Sequence, residues 1–180
     1  MKVWEELSGE NVAAEVGRRM GNSLVIAWHG SQDDDPPLLA FAGKGDDLSI
    51  FDPLKREIVK SFEQHGWKTG LDWSPDGTRI AVSDRRSIGV WDVESAVRIG
   101  SCDGPSAMIR DISWSDQQGR LAAVAENGMV CLWNADSLAY CAKFNLHQRS
   151  PYCVSWSPDG KQLASTARFG RIVLQTNADK

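Results

Sequence analysis

Leu71-Asp72-Trp73-Ser74-Pro75-Asp76-Gly77, Ile112-Ser113-Trp114-Ser115-Asp116-Gln117-Gln118-Gly119 and Val154-Ser155-Trp156-Ser157-Pro158-Asp159-Gly160 are three versions of one pattern. Their tryptophans are 41 and 42 residues apart, and Trp28 in Ile26-Ala27-Trp28 fits the same slot 45 residues upstream of Trp73. In that earlier copy the turn is replaced by a longer loop, Gly30 to Pro37. A second series runs in parallel: Trp4-Glu5, Phe51-Asp52, Trp91-Asp92, Trp133-Asn134 and Leu174-Gln175, with steps of 47, 40, 42 and 41. Two anchor series sharing one period establish an internal repeat of about 40 residues, and a repeat of that length decides the fold before any local reading does.

Each unit divides into short strands and turns. In the second, the expected strands are Thr69–Ser74, Arg79–Ser83, Ser87–Val93 and Val97–Ser101. Pro75-Asp76-Gly77 is the turn between the first two, with proline presetting φ and glycine free to take a positive one. The third unit gives Arg110–Ser115, Arg120–Ala125, Met129–Asn134 and Ala139–Phe144. Alternation of apolar and polar residues through Ser87-Ile88-Gly89-Val90-Trp91 suits a strand with two distinct faces. No segment keeps a helical period. Residues 5–20 come nearest, but Ser8-Gly9 interrupts them and Lys2-Val3-Trp4-Glu5 fits the third-strand template.

Four short strands in about 40 residues, the third closed by Trp-Asp, describe a blade of a WD40 propeller. The chain therefore resembles the WD40 repeat family, from Lys2-Val3-Trp4-Glu5 to Ile172-Val173-Leu174-Gln175. The resemblance implies an all-β fold of about four blades, each of four antiparallel strands, with repeats at 10–53, 54–93, 94–135 and 136–177. It also implies a buried network of His, Ser or Thr, Asp and Trp in each blade. Here His65, Ser83, Asp84 or Arg85, and Trp91 fall near those slots in the second unit, with His65 one residue too close to its strand. The fourth unit has His147 but Leu174 in the Trp position, and the third has Trp133 without a histidine. No unit carries the full set, so Trp4, His65, Ser83, Asp84, Trp91, Trp133 and His147 are expected as partial, structural versions of it.

The chain reads from a third strand to a third strand. Two arrangements complete such a set: further blades outside this chain, or a second copy closing an eight-bladed ring. Either would cover sheet edges and apolar faces that a lone half-ring leaves open.

Composition agrees with a folded protein: 42% hydrophobic and 24% charged residues over 180. The formal net charge of −4 provides no bulk basic field for nucleic acid, and Arg18-Arg19 and Arg85-Arg86 are too short to make one. No apolar run approaches the ~18 residues that span a bilayer. Cys102, Cys131, Cys141 and Cys153 form no Cys-x-x-Cys pair and have no histidine at zinc spacing; they read as reduced thiols, which suits the cytoplasm or, in a eukaryote, the nucleus. A Cys131–Cys141 disulfide would need the two to face each other on neighbouring strands.

No catalytic motif is present: no nucleophile elbow, no phosphate-binding glycine loop, no His-Glu-x-x-His. Asp33-Asp34-Asp35 lacks the spacing of a calcium loop, Asp46-Asp47 reads as a turn, and His29, His65 and His147 lie far apart. No cofactor or metal is expected. Function then falls on the surface. The resemblance implies partner binding by the loops that precede the first strand and join the second to the third. Trp67, Arg85, Met108, Glu126, Tyr152 and Arg168 occupy those positions. Aromatic residues, methionine and arginine are the types enriched at interface centres, although packing at the start of the strand explains Trp67 and Tyr152 equally well. The expected function is a non-enzymatic scaffold for a protein or peptide. The alternatives are a propeller module attached to a hydrolase or signalling enzyme, and a nucleic-acid-associated member of the family.

Overall fold

The computed structural model describes residues 2–7, 10–15, 24–30, 36–43, 47–63, 66–115, 117–148 and 150–176. For residues 2–7, 10–15 and 24 the backbone alone is described. The first pair of strands, β1 (Lys2–Leu7) and β2 (Glu10–Glu15), forms a two-stranded antiparallel sheet in which Trp4 pairs with Ala13. Three four-stranded meanders follow: β3 (Leu24–His29) to β6 (Glu57–Phe62), β7 (Leu71–Trp73) to β10 (Arg98–Asp103), and β11 (Ile109–Trp114) to β14 (Tyr140–Asn145). The last sheet has three strands, β15 (Pro151–Trp156), β16 (Gln162–Ala167) and β17 (Arg171–Thr176). Every pairing is between neighbours in sequence, the cheapest way to close short loops. The expected strands β12 (Arg120–Ala125) and β13 (Met129–Asn134) match residue for residue, and the others differ by a few positions at their ends.

The turns follow from their residues. Ser74 and Asp76 close the first-to-second strand turn: the Ser74 hydroxyl donates to Asp76 Oδ1 at 2.6 Å, and Gly77 takes φ 68°. Ser157 and Asp159 repeat this at 2.6 Å, with Gly160 at φ 67°. At the end of the third strand, Asp52, Asp92 and Asn134 each accept hydrogen bonds from the backbone N–H three residues on, at 2.8–3.1 Å, which turns the chain into the fourth strand. This accounts for the carboxylate or amide after the aromatic anchor. The Lys55 N–H holds Asp52, and the Ser95 hydroxyl followed by the Ser95 N–H holds Asp92, below the ordinary carboxylate range.

The sheets stack in sequence order, and their first strands adjoin: β3 meets β7, β7 meets β11 and β11 meets β15. The first strands therefore line a common inner side and the fourth strands lie outermost, as in blades around an axis. Polar groups staple each first strand to the next. The Trp114 N–H donates to Asp72 Oδ2 at 2.7 Å, and the Trp156 N–H, one repeat later, donates to Ser113 Oγ at 3.2 Å. The Val154 N–H donates to Asp111 Oδ2 at 2.9 Å. The apolar core lies between sheets. Trp73, Trp114 and Trp156 are buried against the preceding sheet, Trp73 donating its indole N–H to the Ala27 carbonyl at 3.0 Å. Trp28, in the same slot of the first full sheet, is 49% exposed.

One register differs from expectation. Leu121 pairs with Trp133 and Ile80 with Trp91, and the matching partner of Leu163 is Gln175, not Leu174. Leu174 instead matches Leu132, each facing the alanine after that leucine, Ala164 and Ala122. The sequence reading preferred the apolar residue for an aromatic slot; strand alternation places glutamine there.

Candidate functional site

The residues singled out for binding gather at one end of the sheets. Trp67 and Met108 precede β7 and β11, Tyr152 is the second residue of β15, and Arg85, Glu126 and Arg168 sit in the turns between second and third strands. Backbone hydrogen bonds tie these turns to the neighbouring loops. The Arg85 N–H donates to the Trp67 carbonyl at 3.5 Å and the Glu126 N–H to the Met108 carbonyl at 2.8 Å. The Arg168 N–H donates to the Ser150 carbonyl at 3.1 Å. Two further bonds cross between sheets: the Ile109 N–H to the Arg85 carbonyl at 2.6 Å, and the His147 N–H to the Gly128 carbonyl at 3.2 Å. The result is a continuous band of turns with exposed Trp67, Arg85, Tyr152 and Arg168 on it. Gly128 makes the second crossing feasible. Its φ is 89°, and a Cβ there would overlap the His147 carbonyl oxygen.

Two concavities open along the band. One of about 460 Å³ is lined by Arg110, Glu126, Asn127, Gln148 and Ser150. The other, about 530 Å³, is lined by His147, Gln148, Ser150, Arg168, Phe169 and Arg171, with Ala167. They share Gln148 and Ser150. Arg110 is neutralised by Glu126 at 2.6 Å. Of the six residues expected at the site, only Glu126 and Arg168 line these concavities; Trp67, Arg85, Met108 and Tyr152 do not. Arg110, Phe169 and Arg171 are lining residues that sequence reasoning missed. Phe169 carried a faint signal, an apolar ring in a turn before glycine.

The buried networks are partial, each in its own way. His147 is 2% exposed, and its Nε2 meets the Ser165 hydroxyl at 2.8 Å while Nδ1 has no partner among the described residues. Burial, and then the nearby Arg171 charge, hold His147 below its ordinary pKa, so it is neutral at pH 7. In the second full sheet Ser83 serves a different partner from the expected tryptophan. Its Oγ accepts the N–H groups of Thr69 and Gly70, both at 2.9 Å. The Thr69 hydroxyl donates to the Ile109 carbonyl at 2.5 Å, which leaves the Ser83 hydroxyl to donate to Thr69. Asp84 is half-buried in the adjoining strand end. The Trp91 indole N–H is buried without a partner among the described residues, and its ring packs edge-on against Phe62. Trp133 donates to the Asp103 carbonyl at 3.1 Å. His65, Asp33-Asp34-Asp35 and Arg149 lie outside the described residues, as does the side chain of Trp4.

Among the described residues no group of three or more His, Cys, Asp or Glu could hold a metal ion. The four cysteines are free. Cys131 is buried opposite Lys143 while Cys141 is exposed, so the two do not face each other across the ladder. Burial pushes the Cys102 thiol up to about 12, which makes it a poor nucleophile. No described helix is long and apolar enough to cross a membrane.

The sequence model of the family described as "WD domain, G-beta repeat" matches residues 56–92, 96–134 and 139–170, more than half of the chain. The chain belongs to the WD40 repeat family. The β-propeller blades of that family are the four-stranded and three-stranded sheets described above, and WD40 proteins are in general non-catalytic platforms for binding other proteins. Among curated proteins the chain is similar to WD repeat-containing protein 1 of Rattus norvegicus, 26% identical over 136 residues covering 71% of this chain and 22% of that protein. The counterpart from Xenopus tropicalis is 27% identical over 136 residues, with the same coverage of 71% and 22%. Protein HIR1 of Kluyveromyces lactis is 22% identical over 149 residues, or 73% of this chain and 17% of that protein. The chain thus spans about a fifth of the length of these relatives.

Proposed function

We propose that this WD40 chain is a non-enzymatic scaffold that binds a protein or peptide partner at the end of the blades carrying Trp67, Arg85, Met108, Glu126, Tyr152 and Arg168. The observation that supports this most is the band itself. Turns and loops of consecutive blades are joined there by backbone hydrogen bonds, which presents exposed aromatic and arginine side chains on a fixed frame. A fixed frame lowers the ordering cost of association. The reduced cysteines agree with a cytoplasmic setting.

Affinity capture from cytosol tests the surface. Trp67→Ala and Tyr152→Ala should each lose partners that the wild type and a Glu94→Gln control at the opposite end retain. Unchanged recovery by both would refute the assignment to this end.

The same reading includes closure of the open blade faces by further blades or by a second copy. Val130 and Leu132 receive Val154, Trp156 and Leu163 of the next blade. Their register equivalents Ile172 and Leu174 stand 67% and 62% exposed. Light scattering at about 10 μM separates the two: a dimer supports a second copy, and a monomer refutes it.

A further inference from the structure

We propose that the concavity lined by His147, Gln148 and Ser150 on one side and by the Arg168–Gly170 turn on the other seats an acidic peptide segment of a partner protein, with carboxylates on Arg168 and Arg171 and an apolar side chain against Phe169. This deepens the reading of the same end as a protein-binding surface and rests on it.

Four observations converge on this place. Phe169 is 94% exposed, the most exposed large apolar side chain among the described residues, and it is held at φ 67° and ψ 27°. A bulky residue in the left-handed region is strained, and such strain concentrates at ligand-binding turns. The corresponding turn of the preceding blade, Glu126-Asn127-Gly128, has a positive φ at the glycine alone, and that of the second blade has one at Arg85, φ 54°. Second, the Arg168 guanidinium lies over the Phe169 ring, 5.3 Å from its centre, and neither Arg168 nor Arg171 has a carboxylate partner among the described residues. The neighbouring Arg110 shows the contrast, since Glu126 already satisfies it. Third, His147, 2% exposed, is among the lining residues, and its Nδ1 has no hydrogen-bond partner among the described residues. Fourth, the volume of about 530 Å³ admits two or three side chains of a bound segment.

Two guanidiniums with no carboxylate partner among the described residues, beside an apolar ring, fit carboxylates on a short peptide. Arginine's planar fork matches carboxylate geometry, and its stacking on Phe169 holds it ready. A polynucleotide would need a longer run of cations, and within one blade the next arginine along the band, Arg110, is already neutralised by Glu126. The whole chain is also negative, with a formal charge of −4, so this concavity is a local exception in sign. A partner segment is drawn to it only if it is acidic and short enough to avoid the rest of the surface.

Fluorescence anisotropy tests the proposal with three labelled probes: the heptapeptide Glu-Asp-Glu-Phe-Glu-Asp-Glu, its Gln/Asn counterpart, and a ten-nucleotide oligouridylate. The acidic peptide should bind at least about tenfold tighter than either other probe. The double variant Arg168→Gln/Arg171→Gln should weaken it about tenfold or more while leaving the thermal midpoint unchanged. Phe169→Gly should weaken it by about threefold and leave the midpoint equal or higher, because glycine relieves the backbone strain. A purely structural role for Phe169 would lower the midpoint instead. Equal binding of the two peptides, tighter binding of oligouridylate, or undiminished binding by the double variant would each overturn the proposal. If the peptide fails while Trp67→Ala and Tyr152→Ala still lose partners, the acidic occupant falls and the surface stands. If those variants retain their partners, the surface falls too.

Discussion

The third and fourth blades are built on one pattern and end in different environments. Leu121-Ala122-Ala123-Val124-Ala125 and Leu163-Ala164-Ser165-Thr166-Ala167 are register equivalents, as are Leu132 and Leu174. In the third blade β12 and β13 are buried on both faces, because Ala81, Ile88, Val90 and Cys102 of the second blade cover one and Val154, Trp156 and Leu163 of the fourth the other. In the fourth, β16 alternates and β17 is half-buried or exposed throughout. The first three strands are arranged alike in both. A blade's strands and turns are thus set by its own sequence, while its burial is conferred by the neighbours.

This contrast is open to direct attack. Leu132→Ala removes a fully buried side chain and should cost about 4 kcal/mol, whereas Leu174→Ala should cost less than about 0.5 kcal/mol, both by urea denaturation. Equal costs would mean that the fourth blade is covered after all. The next pair is Gly128 and Gly170, matching positions with φ of 89° and 73°. Gly128→Ala carries the left-handed strain and also drives a methyl into the His147 carbonyl, so about 3 kcal/mol is expected. Gly170→Ala has open space around it and should cost about 1 kcal/mol, the strain alone.

Asp111 joins the two blades and makes their cohesion depend on pH. Burial pushes its carboxyl up to about 6 from an ordinary 3.8, despite the hydrogen bonds it accepts from the Val154 and Ile112 N–H groups. A carboxyl whose folded pKa is raised favours the fold fully below pH ~4 and loses that contribution as pH rises through about 6. Asp111→Asn keeps an acceptor for Val154 without the desolvated charge. It should therefore stabilise the protein by about 1 kcal/mol at pH 8 and by nothing at pH 4. A destabilised variant at pH 8 would show that the charge is compensated.

The smallest effect separates two serines in the same slot. Ser113→Ala leaves the buried Trp156 N–H without its acceptor and should cost about 1 kcal/mol. Ser155 makes only a 3.4 Å contact with its neighbour's carbonyl, and Ser155→Ala should be silent within error.

The blades were legible in sequence because each strand-ending aromatic and each Ser-Pro-Asp-Gly turn is a local device, repeated in phase. The shift at Leu174 and Gln175 shows the limit of that reading. Without a tryptophan the slot has no landmark, and only the pairing with Leu163 reveals it. The end of the blades that carries the candidate residues was legible from the same register. The concavity was not, because it depends on a positive φ at Phe169, which no residue preference announces, and on His147 and Arg171, far apart in sequence, lining one space. The staples from Asp72, Asp111 and Ser113 were hidden for another reason. Each reaches about one full repeat along the chain, and serine or aspartate on a strand otherwise reads as solvent-facing.

Native-state amide hydrogen exchange addresses the stacking most directly. Amides of Val130 to Trp133 should exchange only through global unfolding, while those of Ile172 to Gln175 should exchange through local opening at markedly lower free energy. Equal protection of the two strands, or faster exchange in Val130 to Trp133, would contradict a third blade enclosed between its neighbours and a fourth covered on one face.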